Sequence, residues 1–245
     1  MQRLGTMLRG AARRLAVAAS LSLLACSGAH GPVEGTSGAA GSTNRQVIYR
    51  VPVEGFPTIG DNTALVTVVE FTDYECSYCA YAESTLVQLR TQYADDLRVV
   101  VIEHPMEMHP HARAAARAAI AADFQGHFDS MHVQLFRGSL EDESIVRDAR
   151  DLGLDVPTFL ADRADRAGPA LDRAEAVAKE LGVPGTPAFF INGRMLVGPL
   201  PYTTFEAVVE ERLGAAKRLL ERGVRRQDVY GTTVANGLPH IVEAC

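Results

Sequence analysis

Apolar and polar positions along this chain follow two periods. Leu65-Val66-Thr67-Val68-Val69-Glu70-Phe71 is a largely β-branched run of strand length, apolar on both faces as a central strand requires. Cys79, Ala82, Leu86, Leu89 and Tyr93 then recur at steps of 3, 4, 3 and 4, the spacing of one helix face. Leu97–Ile102 is a second apolar run. Strand, helix and strand in this order predict a right-handed βαβ unit with parallel strands. Upstream, Gln46–Val53 alternates loosely and predicts an edge strand, and Asp61-Asn62 marks a turn.

From Pro110 to Leu181 the period is helical. Ala112–Phe124 and Phe128–Phe136 predict helices, with breaks at Gly126, Gly138, Gly153, Pro157 and Gly168-Pro169. Leu171, Ala174, Ala178 and Leu181 form another amphipathic face that Gly182 stops. The alanine-rich stretch Ala112–Ala122 reads as close helix packing rather than a membrane element, because Arg113 and Arg117 interrupt it and Asp123 follows. Ala188–Ile191 and Met195–Val197 flank Asn192-Gly193, a strong hairpin signal. A last helix is predicted near Thr204–Arg222, with Phe205, Val209, Leu213, Ala216 and Leu220 on one side. Residues 223–245 are weakly patterned and predict a loose tail. The class is α/β.

The N-terminus has a different character. Residues 1–25 carry Arg3, Arg9, Arg13 and Arg14 and no acid, followed by an apolar run of about a dozen residues, shorter than the ~20 a membrane-spanning helix needs. A basic start, a short apolar stretch and small residues at its end predict an export signal. Leu23-Leu24-Ala25-Cys26 resembles a bacterial lipobox, in which Cys26 becomes the lipid-modified first residue, and Ser27 resembles outer-membrane sorting. The alternative is an ordinary signal cleaved near Ala25 or Ala29. Residues 26–45, rich in Gly, Ser, Ala and Thr, form a flexible tether.

The formal net charge of −6 argues against nucleic acid as a partner. Losing residues 1–25 removes only positive charge, so the body would not hold an anionic membrane by itself. The four cysteines, Cys26, Cys76, Cys79 and Cys245, are too few for a disulfide-built scaffold in 245 residues.

Cys76-Ser77-Tyr78-Cys79 directly follows the strongest strand and opens the first helix. A helix start presents unpaired N–H groups and partial positive charge, which favours the thiolate of the leading cysteine. The second cysteine lies one turn on, near enough to close a small disulfide ring. Such a pair exchanges two electrons through a mixed disulfide. Cys76 would attack and Cys79 would resolve. Two other readings exist: half of a zinc site with nitrogens from His104, His109 or His111, or an inert staple, which so small a ring makes weak.

Val68–Cys79 resembles the active-site segment of DsbA-like thioredoxin-fold oxidoreductases. A second match follows at Gly182-Val183-Pro184-Gly185-Thr186-Pro187-Ala188-Phe189-Phe190-Ile191-Asn192-Gly193, which resembles the family's cis-proline loop. The resemblance implies a thioredoxin fold over residues 46–222, with a helical insertion at about 105–182 between the βαβ half and the C-terminal ββα half. It implies that Thr186 and Pro187 sit against the cysteine pair and bind extended substrate chain, with Tyr78 beside them. It also implies that Glu70, six residues before Cys76, relays a proton to or from Cys79. A carboxylate inside an apolar strand is desolvated, which raises its pKa. Tyr78 departs from the histidine of the strong oxidants of this family. It is neutral and only donates a hydrogen bond, so a milder oxidant is expected.

The family reading implies no cofactor and no metal. Its partners would be cysteine-containing exported proteins, an envelope redox partner, and the membrane through a lipid on Cys26. Two alternatives carry different chemistry: a metal-binding envelope protein using the cysteines with His109 or His111, and a non-catalytic thioredoxin-fold binding module. The segment His104–His111 otherwise reads as a loop that starts a helix near Pro110. Cys245 has no assigned partner.

Overall fold

β2 (Val66–Thr72) is buried along its whole length. Its side chains alternate between two apolar layers, so neither face is left for water. On one edge it pairs in parallel with β3 (Leu97–Glu103), and on the other it pairs antiparallel with β4 (Ala188–Ile191). β1 (Thr58–Ile59) and β5 (Arg194–Val197) complete a sheet of order β1-β3-β2-β4-β5. This computed structural model describes residues 47–242. The export signal, Cys26, the whole tether and Cys245 lie outside the described residues.

α1 (Ser77–Tyr93) makes the crossover from β2 to β3. Five helices lie between β3 and β4 along the chain: α2 (Ala112–Asp123), α3 (Phe128–Arg137), α4 (Asp142–Asp151), α5 (Val156–Asp165) and α6 (Ala167–Leu181). α7 (Tyr202–Glu221) follows the hairpin, and α8 (Val229–Val234) lies near the C-terminus.

The two-residue period of the strands sorts the core into layers. Val66, Val68, Val99, Val101, Phe189 and Ile191 face Leu86 and Leu89 of α1, the alanines of α2 and Phe205 of α7. Val69, Phe71, Val100, Ile102, Ala188 and Phe190 face Ala174, Ala178 and Leu181 of α6. The small side chains at Ala115, Ala118, Ala119 and Ala122 let α2 approach its neighbours closely, as the sequence predicts. The hairpin turn needs positive φ at both central residues, and Asn192 (44°) and Gly193 (83°) supply it. A Cβ at Gly193 would come within 2.6 Å of the Tyr49 carbonyl oxygen.

Two expectations are corrected. Gln46–Val53 does not join the sheet: within it the described residues make only an isolated bridge, Tyr49 with Leu238, and β1 takes the edge. Pro52 interrupts the segment, and proline donates no ladder hydrogen bond. The C-terminal segment is not loose as far as it is described. Val229, Tyr230 and Val234 are buried, and the Tyr230 hydroxyl donates to the Val51 carbonyl at 2.7 Å. Arg50 and Leu238 extend the contact, with the Arg50 N–H donating to Leu238 and the Leu238 N–H donating to Ile48, each at 2.8 Å. Three buried residues are too few to set a readable helical period, and Tyr230 and Val234 share a core cluster with Tyr49 and Val51 from the far end of the described chain.

Candidate active site

Cys76 is the N-cap residue of α1, with φ −77° and ψ 111°. Its carbonyl accepts the first helical bonds, from Cys79 N–H at 3.0 Å and Ala80 N–H at 3.1 Å. No acid occupies the first turn. The sulfur therefore stands where the helix offers partial positive charge. Both cysteines are free thiols here. Cys76 is 8% exposed and Cys79 fully covered, so a partner molecule meets Cys76 first.

The second sequence motif arrives at the same place. Gly182, in the left-handed conformation, ends α6 with its N–H bonded to Ala178. The chain then runs through a loop to the Thr186–Pro187 peptide bond, which is cis, and enters β4. The Cys76 thiol donates to the Thr186 carbonyl at 3.5 Å, across 110 residues of sequence. Pro187 adjoins that contact. Tyr78 projects from the same helix start and is 61% exposed, with Tyr81 also open to solvent. Apolar aromatic surface thus lies beside the covered sulfurs.

Glu70 lies in the middle of β2, between Val101 of β3 and Phe189 of β4. It is fully buried, and neither carboxylate oxygen meets hydrogen-bond geometry with a protein group. Burial drives its pKa well above the ordinary carboxylate range, and the charge of Glu83 pushes it further; the Thr72 hydroxyl nearby offsets a part. Burial likewise drives the Cys79 thiol far up, with further upward pushes from Glu70, from the charge of Cys76 and from a hydrogen bond to Cys76. Glu70 and Cys79 are therefore electrostatic neighbours that both prefer to hold a proton.

Residues just before Cys76 bind the site to the helical insertion, a role the sequence reading did not assign. Asp73 is buried; Oδ1 accepts from Glu75 N–H and Oδ2 from Met106 N–H, each at 2.8 Å, and His109 Nδ1 lies 2.8 Å from that same Oδ2. Glu75 caps the next helix from a distance, accepting from His111 N–H at 2.5 Å and Ala112 N–H at 2.7 Å. A carboxylate at a helix N-terminus is favoured by the dipole. Tyr74 donates to Glu103 at 2.9 Å and lies 2.8 Å from His132 Nδ1. No local signature marks Glu83, Glu103 or His132 in the sequence, because each acquires its neighbours through space.

The metal reading that joins the cysteines to His109 or His111 is not assembled. His109 is engaged with Asp73, and His111 Nε2 lies 3.9 Å from Glu141. Among the described residues, no set of three close metal-ligating side chains contains either cysteine.

A five-stranded sheet with this crossover, a cysteine pair at the helix start and a cis-proline loop against it define a thioredoxin-type domain. The thioredoxin family's sequence model matches residues 53–211. The chain belongs to the thioredoxin family and has the DsbA-like form of its fold. A Na⁺/H⁺ antiporter NhaA of Herminiimonas arsenicoxydans is 41% identical over 175 residues, which cover 69% of this chain and 26% of that protein. The chain thus spans about a quarter of that relative's length. A thioredoxin-like oxidoreductase from Silicibacter pomeroyi is 31% identical, with a TM-score of 0.58 over 64% of this chain and 91% of its own. A periplasmic thioredoxin-like protein from Salmonella enterica is 28% identical, with a TM-score of 0.55 over 65% of this chain and 90% of its own. The fold is also that of Wolbachia pipientis alpha-DsbA1, 18% identical, with a TM-score of 0.61 over 69% and 96% of the two chains. Among the described residues, no helix is long and apolar enough to cross a membrane.

Proposed function

We propose that this chain is a thiol–disulfide oxidoreductase of the cell envelope that acts on cysteines of exported proteins through Cys76 and Cys79. The observation that carries the reading is the Cys76 sulfur at the start of α1, 3.5 Å from the Thr186 carbonyl beside Pro187. Periplasmic and oxidoreductase relatives support the compartment and the chemistry. Ion exchange is no part of the reading, because the groups that converge here are thiols.

In the oxidising direction a substrate thiolate attacks the Cys76 sulfur of the Cys76–Cys79 disulfide. The intramolecular bond breaks, a mixed disulfide forms, and Cys79 leaves as a thiolate. Buried Cys79 takes up a proton, and Glu70 is the neighbouring acid that can supply it. A second substrate thiolate then attacks the substrate sulfur of the mixed disulfide and releases Cys76. Two electrons pass from substrate to the pair. In the reducing direction each step reverses, and Glu70 accepts the Cys79 proton. The redox potential of the envelope partner sets the direction.

Thr186 and Pro187 form the edge along which extended substrate chain binds, and Tyr78 adds exposed apolar surface to it. A lipid on Cys26 would hold the domain at a membrane of the envelope, the outer one on the Ser27 reading.

The test pairs insulin reduction with oxidative refolding of a reduced substrate. Cys76→Ser abolishes both activities. Cys79→Ala accumulates mixed disulfides with substrate on non-reducing gels. Activity in neither assay that depends on Cys76 ends this reading.

A further inference from the structure

Behind the redox pair, three acidic or imidazole side chains from three elements converge. They are Glu70 of β2, Glu83 of α1 and His132 of α3, each placing a ligand atom within 4.8 Å of the others. Both oxygens of fully buried Glu70 lack a hydrogen-bond partner. Glu83 Oε1 lies 3.0 Å from His132 Nε2.

The other side of the imidazole decides what Nε2 can do. His132 Nδ1 lies 2.8 Å from the Tyr74 hydroxyl, which donates to Glu103 Oε1 at 2.9 Å. A hydroxyl has one proton. With that proton directed at Glu103, Tyr74 can only accept from His132, so Nδ1 carries the ring hydrogen. In the neutral ring, Nε2 then presents a lone pair toward Glu83. A lone pair and two carboxyl groups facing one another need a proton or a metal ion among them, and a metal ion meets all three at once. The arrangement is also that of a metal-bound histidine, whose far nitrogen is oriented by a hydrogen-bonded partner. Here that partner is the Tyr74–Glu103 pair.

We propose that Glu70, Glu83 and His132 bind a zinc ion behind Cys79. Two carboxylates and an imidazole are donors zinc accepts, and three protein ligands leave a fourth position for water. A groove of about 430 Å³ between α1 and α3 is lined by Glu83, Ser84, Val133, Phe136 and Arg137. Glu83, 14% exposed in its side chain, is the ligand that reaches it, whereas His132 is covered. The site differs from the cysteine–histidine set considered from the sequence, and it stands independently of the redox reading. Its consequence for that reading is direct: a bound zinc holds Glu70 as a ligand and withdraws it from proton exchange with Cys79.

The experiment uses the full chain carrying Cys76→Ser and Cys79→Ser, so that the redox thiols hold no metal. Zinc is titrated in competition with a chromophoric chelator, and thermal unfolding is followed with and without the ion. One equivalent is expected to bind and to raise Tm. Glu83→Gln and His132→Gln, each in the same background, are expected to weaken binding by at least about tenfold and to erase the Tm response. Glu83 is partly exposed, so its amide variant keeps the fold, which circular dichroism checks. Absence of zinc binding, or binding of equal strength in the Glu83→Gln protein, overturns the proposal. Neither result bears on insulin reduction by the unmodified chain.

Discussion

Glu103, the last residue of β3, ties the stability of the fold to pH. It is buried; Oε1 accepts from Tyr74 and Oε2 has no partner. Burial pushes its pKa from the ordinary 4.5 to about 8, with the Tyr74 hydrogen bond pulling part of the way back. An unfolded chain releases this proton near pH 4.5, whereas the folded protein keeps it until about pH 8. Between those values the folded state binds the extra proton. Its contribution is therefore fully present below the lower value and is lost as pH rises, at ~1.4 kcal/mol per pH unit. The whole window amounts to about 5 kcal/mol, and pH 5 to 8 to about 4. Domain stabilities are themselves only ~5–15 kcal/mol. Glu103→Gln retains the carbonyl that Tyr74 needs and has no proton to lose. Urea unfolding of the reduced protein, with chelator present, is measured at unit steps from pH 5 to pH 8. The unmodified chain is expected to lose about 4 kcal/mol more than Glu103→Gln over that range. Parallel stability curves for the two proteins would refute the buried, proton-holding carboxyl.

Other measurements probe other parts of the structure. In the reducing direction, Glu70→Gln is expected to slow the Cys79 attack that resolves the mixed disulfide by about 100-fold while leaving the first attack by Cys76 on substrate unchanged, as read by stopped-flow single turnover. Asn192→Ala removes two buried hydrogen bonds, from Thr67 N–H and to the Leu65 carbonyl, each at 2.8 Å. Chemical denaturation is expected to show a loss of about 2–4 kcal/mol. Tyr230→Phe deletes the donor to Val51 and is expected to cost about 1–3 kcal/mol, whereas an undocked C-terminal segment would show no change.

Much of the fold was readable because its signals are local. The β-branched run of β2, the 3-4 spacing of α1 and the Asn-Gly turn each state their own conformation within a few residues. Cys76 and Cys79 are legible for the same reason, since a helix start follows from adjacent sequence and its effect on a sulfur from the backbone alone. The motif around Thr186 and Pro187 was recognisable through family resemblance, although the 3.5 Å contact with Cys76 is visible only in three dimensions. The apolar run around Glu70 implied burial, but its two orphaned oxygens and the approach of Glu83 were not deducible from it.

The sequence by itself determined the central strands, the crossover helix, the hairpin and the place of the cysteine pair at a helix start, because periodicity and helix polarity act between near neighbours. Only the tertiary structure decided that the segment before Cys76 anchors the helical insertion, that residues 229–234 dock near residues 49–51, and that Glu83 and His132 gather behind Cys79 beside Glu70. Those pairings join side chains from tens to nearly two hundred positions apart. Their energies depend on burial and on the exclusion of water, and no stretch of chain carries that information until the layers have closed.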